Sequence, residues 1–164
     1  MTDAFRPAFR LIELLLLAAL ICWPVGPVSA RMTLFKGQTV YVPVYSHIYS
    51  GDREQPFYLA ATLSIRNTDR AHAITITAVD YYDSDGKFLK HYLATPSSLG
   101  PMATRRFVVP ESDKSGGSGA KFIVSWHADA PVAEPLIESV MISTKTQQGI
   151  SFTSRGRVLE ETLP

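Results

Sequence analysis

LAATLSIRNTDRAHAITITAVDYYDSDGKFLKHYL, residues 59–93, decides the fold. Leu59, Ala61, Leu63 and Ile65 point one way, and Ala60, Thr62, Ser64 and Arg66 the other. That period of two is the signature of a strand with one face on a core. Asn67-Thr68-Asp69 then supplies turn-favouring side chains. In the next strand Ile74, Ile76 and Ala78 form the inner face, with Thr75, Thr77 and Val79 opposite. Continued alternation places Asp80 on the side of Ile74 and Ile76, where a carboxylate needs hydrogen-bond partners or a position beyond the end of the core. Asp85-Gly86 marks a tight hairpin, and Phe88 to Leu93 is the return strand.

The same reading extends in both directions. Val40, Val42 and Val44 alternate with Tyr41, Pro43 and Tyr45. Pro43 has no N–H for a ladder, which predicts an edge or bulged strand. Ser46 to Gln55 is polar and reads as a loop. Pro96 to Met102 is a proline-bearing connection, Arg105 to Val109 a short strand with one arginine on each face, and Ser112 to Ala120 a flexible Gly/Ser-rich loop. KFIVSWHA, with Phe122, Val124 and Trp126 on one face, reads as a central strand. Ala130 to Pro135 is a proline-broken loop, and Glu138 to Thr144 and Gly149 to Val158 are two strands around a Gln148-Gly149 turn. About eight short strands with turn signals roughly every ten residues predict a single all-β, immunoglobulin-like antiparallel β-sandwich. A small β-barrel is the alternative.

The segment before this domain has the form of a cleavable leader. Arg6 and Arg10 precede an apolar run from Leu14 to Trp23, Pro24 and Pro27 end it, and Val28-Ser29-Ala30 offers small residues for cleavage. Glu13 departs from the pattern. The run is shorter than the roughly 20 residues that cross a bilayer. The reading is a signal peptide over residues 1–30 and one domain over 31–164, with an uncleaved anchor or a lipid on Cys22 as alternatives. Cys22 is the only cysteine, so after cleavage no disulfide, thiolate nucleophile or zinc–thiolate site is expected. Export to the periplasm or cell envelope follows, and the roughly 134 residues after Ala30 are enough for a core without disulfides. The net charge of +1 carries no basic stripe, which argues against nucleic acid. Membrane contact is expected only through a retained leader, and an envelope protein is the partner considered.

Candidates for chemistry are few. Asp83-Ser-Asp85-Gly86 resembles the opening of a calcium loop, but Leu93 stands where the closing acid belongs, so a hairpin turn is favoured. Gly116-Gly117-Ser118-Gly119-Ala120 lacks the second glycine of a nucleophile elbow; its amides suit an anion nest at most. His47, His72, His91 and His127 have no metal-ligand spacing. No cofactor or metal is expected.

VYVPVYSHIYSG (40–51), TLSIRNTD (62–69), VDYYDSDG (79–86), GGSGAKFIVSW (116–126) and VMISTKTQQGISFTSRGRV (140–158) together resemble the bacterial family known as domain of unknown function 3124. The resemblance implies a single exported or envelope-associated domain and carries no catalytic residue. The polar and aromatic content of the first and last of these segments suggests a ligand surface made of Tyr45, His47, Tyr49, Gln147, Gln148, Ser151 and Arg155, if the two segments pair. The leading functional expectation is a non-enzymatic binding or interaction module of the envelope. The alternative is a hydrolase or metal-binding enzyme with a site assembled from Asp80, His91 and His127.

Overall fold

The computed structural model describes residues 33–143 and 149–164. Over these the chain forms β1 (Leu34–Val44), β2 (His47–Ser50), β3 (Gln55–Tyr58), β4 (Ala60–Arg66), β5 (Ile74–Tyr82), β6 (Phe88–His91), β7 (Ser97–Leu99), β8 (Thr104–Val109), β9 (Ala120–Ala133), β10 (Leu136–Ser143), β11 (Ile150–Arg155) and β12 (Arg157–Thr162). One sheet runs β12-β1-β9-β5-β6, with β7 also on β5; the other runs β11-β10-β4-β8, and β2 and β3 form a separate ribbon. Every pairing is antiparallel. Neither sheet closes on itself, so the architecture is the sandwich and not the barrel.

The core follows from the alternation. Val40, Val42, Val44, Phe122, Val124, Val79 and Tyr81 from the first sheet face Ala61, Leu63, Ile65, Ile137 and Met141 from the second, all of them buried. Phe122, Tyr81 and Tyr92 stack within 6.0 Å of one another. Burying such rings against branched aliphatics supplies about 1.5–3 kcal/mol per side chain relative to exposure.

Register shifts and one corner alter what simple alternation predicts. The β5–β9 register shifts between Ile76 and Ala78. Val79 and Tyr81 are therefore the buried residues of the second half of β5, and Asp80 turns to the outer face instead of sharing the side of Ile74 and Ile76. β1 is an interior strand between β12 and β9, not an edge. Pro43 is tolerated because it lies beyond the last β1–β12 pair, Tyr41 with Arg157, and its carbonyl accepts the Ser139 hydroxyl. A shift between Phe35 and Gly37 lets β9 continue through Pro131 to Ala133, where a loop is expected from the prolines. The Ser46–Gln55 segment likewise contributes β2 to a hairpin ribbon. Residues 149–158 are not one strand: Gly156 carries the chain from the second sheet into the first. A Cβ there would sit 2.6 Å from Val40 Cγ1, so no larger residue fits the corner without a shift.

One open end of the sandwich is closed by the glycine-rich loop, which is packed and not a flexible connection. Ser46 N–H donates to the Gly117 carbonyl, Ser84 N–H and Oγ both donate to the Gly116 carbonyl, and Gly119 N–H donates back to Ser84 Oγ at 2.9 Å. Beneath this knot the buried Ser46 and Tyr81 hydroxyls lie 3.1 Å apart. A Cβ on Gly116 would fall 1.9 Å from Tyr81 Oη. Gly116→Ala is therefore expected to cost about 1–3 kcal/mol. Gly100→Ala, where a Cβ meets nothing within 4 Å, is expected to stay within about 0.5 kcal/mol. Urea denaturation of the two variants measures the difference.

Candidate functional surface

The outer face of the first sheet collects the chemistry that the sequence scatters. Strand register aligns Arg157, Tyr41, Ile123, Asp80 and His91 in one row across β12, β1, β9, β5 and β6. The neighbouring row is Pro43, Lys121, Tyr82 and Phe88. His91 Nδ1 and Asp80 Oδ1 are 2.8 Å apart, and the Phe88 ring lies 4.4 Å from the imidazole and 5.6 Å from Tyr82. The carboxylate fixes the ring orientation and leaves Nε2 toward solvent, the side chains being 23% and 67% exposed for Asp80 and His91. Phe88 is itself exposed. Lys121 Nζ donates to the carbonyls of Asp83 and Ser84, which ties the row to the hairpin turn.

His127 does not join this pair. It stands opposite Thr75 and Gly37, four residues along β9 from the partner of Asp80, which is about 13 Å at strand rise. The DSDG segment is the hairpin turn: Asp83 Oδ1 accepts the N–H groups of Asp85 and Lys87 at 3.0 and 2.8 Å, and Gly86 takes φ +84. Among the described residues no three His, Cys, Asp or Glu side chains gather as a metal site.

The other set of sequence candidates divides. The first and last family-like segments do meet, through β1 on β12 and through the Tyr45 ring 5.6 Å from Phe152 of β11. Phe152 pairs with buried Met141 on the inner side, whereas Ser151 and Arg155 pair with Ile142 and Glu138 on the outer face of the second sheet. His47 and Tyr49 lie on the β2–β3 ribbon, rings 5.1 Å apart, with Tyr58 beside His47 and Lys114 Nζ 4.3 Å over Tyr58. Gln147 and Gln148 lie outside the described residues. Arg155 also borders a cleft of about 320 Å³ between the sheets, floored by Val40, Ile137 and Val158.

The outer face of the second sheet is different in kind. There Val108 and Val140 share a row with Thr62 and Thr153, Ile142 stands in the next row, and Glu138 pairs with Arg66 at 3.5 Å. Arg105 points the opposite way from Arg106 and donates to Ser97 of β7, so the two arginines do separate onto opposite faces.

Sequence reading treats Asn67-Thr68-Asp69 as a turn; it is the hub of the second open end. Asn67 Nδ2 donates to the carbonyls of His72, Leu99 and Gly100, its N–H donates to Ala103, and its Oδ1 accepts Asp69 N–H. Asp69 accepts N–H groups from Ala71, His72 and Ala133. Thr68 Oγ1 donates to the Glu134 carbonyl at 2.7 Å. Three loops are thus held by three adjacent side chains. These amide donors hold the Asp69 carboxyl down at about 2, with the backbone bond from Ala71 the largest cause.

Fold and surface together define an antiparallel β-sandwich domain with both ends closed by side chain–backbone clasps and a polar-aromatic sheet face. The chain belongs to the family described as Protein of unknown function (DUF3124), whose model matches residues 37–159. No curated protein matches the sequence. A crystal structure of Thermotoga maritima 1070 is similar over 76% of this chain and 96% of that chain, at 13% identity and a TM-score of 0.42.

Because folding lowers the Asp69 carboxyl below its ordinary 3.8, its contribution to stability is complete above about 4 and disappears as pH falls toward 2. Asp69→Asn is expected to be less stable than the wild type at neutral pH and to lose less stability between pH 4 and pH 2. Denaturation midpoints measured across that window test this; parallel acid profiles for the two proteins would refute it.

Proposed function

We propose that this protein is an exported, non-enzymatic binding module of the bacterial cell envelope, and that the outer face of its first sheet is the contact surface. The observation that carries the reading is the row Arg157–Tyr41–Ile123–Asp80–His91. Five strands of the first sheet place donors, acceptors and rings on one open face, where a partner has direct access. Export is supported by the basic start, the short apolar run and the small residues at Val28-Ser29-Ala30.

A second reading, a hydrolytic or metal-dependent enzyme, is favoured by one contact, the 2.8 Å Asp80–His91 pair. That pair orients an imidazole as catalytic dyads do, but it stands on an open face, with His127 several residues away along β9. The binding reading therefore accounts for more of the surface.

Two measurements test the proposal. N-terminal sequencing of protein recovered from the envelope fraction is expected to begin at Arg31; an intact Met1 would overturn cleavage. In envelope extracts, a component that co-purifies with the wild type is expected to be lost from Tyr82→Ala and Phe88→Ala but kept by Val108→Ser on the opposite sheet. Equal recovery by all of them would remove the first-sheet face as the contact surface.

A further inference from the structure

Taking the outer face of the first sheet as the contact surface, we infer that it is a platform for a polysaccharide chain. The inference rests on the preceding reading and names the chemical class of the partner.

The argument starts from what the face lacks. Its apolar members fall into two separate pairs in different rows, Tyr41 with Ile123 and Tyr82 with Phe88; Asp80 and Lys121 stand between the pairs, and Arg157 and His91 end the first row. A stable protein contact is centred on a continuous, desolvated apolar cluster from which charge is depleted. That description fits the second sheet better, where Val108 and Ile142 are 50% and 46% exposed and Val140 shares the row of Val108.

A sugar ring has complementary needs. Its C–H face stacks on an aromatic ring, and its rim of hydroxyls both donates and accepts hydrogen bonds. The first-sheet face offers the aromatic surfaces of Tyr41, Tyr82 and Phe88. It also offers Asp80 as an acceptor, Arg157 as a donor and the outer nitrogen of His91 as either. Asp80 orients His91, and Phe88 braces the imidazole from one side, so an exposed group of the face is also held in place.

The surface is a pleated plane about 20 Å across its five strands, at roughly 4.8 Å each. A row of this length suits an extended chain crossing the strands better than a single small molecule, which needs enclosure. Cationic Arg157 and Lys121 and anionic Asp80 leave the face nearly balanced, and Lys121 is already engaged by two carbonyls. Recognition by simple attraction to a polyanion is therefore not its design.

Affinity electrophoresis of the protein purified from full-length expression tests the inference. The probes in the gel are three neutral polysaccharides, dextran, hydroxyethyl cellulose and galactomannan, with dextran sulfate as the control for charge alone. Retardation by at least one of the first three is expected, with Tyr82→Ala, Phe88→Ala and Asp80→Asn each weakening it about tenfold, an easily resolved shift. Val108→Ser is expected to bind as the wild type does, and each variant's denaturation midpoint shows whether it remains folded. Retardation by dextran sulfate alone would overturn the inference, as would retardation unaffected by all three face substitutions. If no polysaccharide retards the protein while the face variants still lose the co-purifying envelope component, the partner is not a glycan and the face remains the contact surface. If neither signal appears, both readings fall.

Discussion

A two-layer sandwich whose described residues contain no cysteine depends on how its open ends are sealed, and here Asn67 and Asp69 seal one of them. The hydrophobic effect holds the sheets face to face, but it is non-directional and does not fix which loop crosses which. Asn67 reaches the carbonyls of Leu99 and Gly100, and Asp69 reaches the N–H groups of the following loop and of Ala133. Positions of β5, β7, β8 and β9 are all referred to these two side chains. Each such bond contributes about 1 kcal/mol net, while leaving the buried partners unmatched costs more. The hub therefore sets geometry more than it adds energy. At the other end Ser46, Tyr81, Ser84 and the glycine loop perform the same task with hydroxyls.

Much of the sandwich is legible in the sequence where period two is unbroken. Leu59 to Arg66 follows its alternation, with Leu63 and Ile65 fully buried and Arg66 exposed; Ser64 is the exception, since it is buried although it lies on the outer side. The reading fails where one extra residue enters a strand. The shift at Ile76–Ala78 has no compositional mark, since Thr77 and Ala78 suit either face, and it reverses the facing of everything after it. The opposite error occurs at Ser115 to Gly119. That composition reads as slack, but its glycines are there because Tyr81 and Ser84 come so close.

The surface was less legible than the fold for a related reason. Tyr41, Ile123, Asp80 and Arg157 become neighbours only through register, and single-chain spacing carries no trace of it. Asp80 and His91 could be suspected because a hairpin joins their strands. His127 could not be separated from them without knowing how far β9 slides along β5. The Tyr45–Arg155 set shows the same limit, since adjacency of two strands does not say which sides their residues take.

The position of β1 bears on how the chain acquires its structure in time. Both of its partners arrive late: β9 begins at Ala120, and β12 ends at Thr162. Every ladder on the first strand thus closes a loop of about 75 residues or more, which places the protein among slow, high-contact-order folders. Until the C-terminal third has been synthesised, the valines of β1 have no sheet to join. The β2–β3 ribbon and the β5–β6 hairpin can close locally, but the first sheet is complete only when β12 zips onto β1.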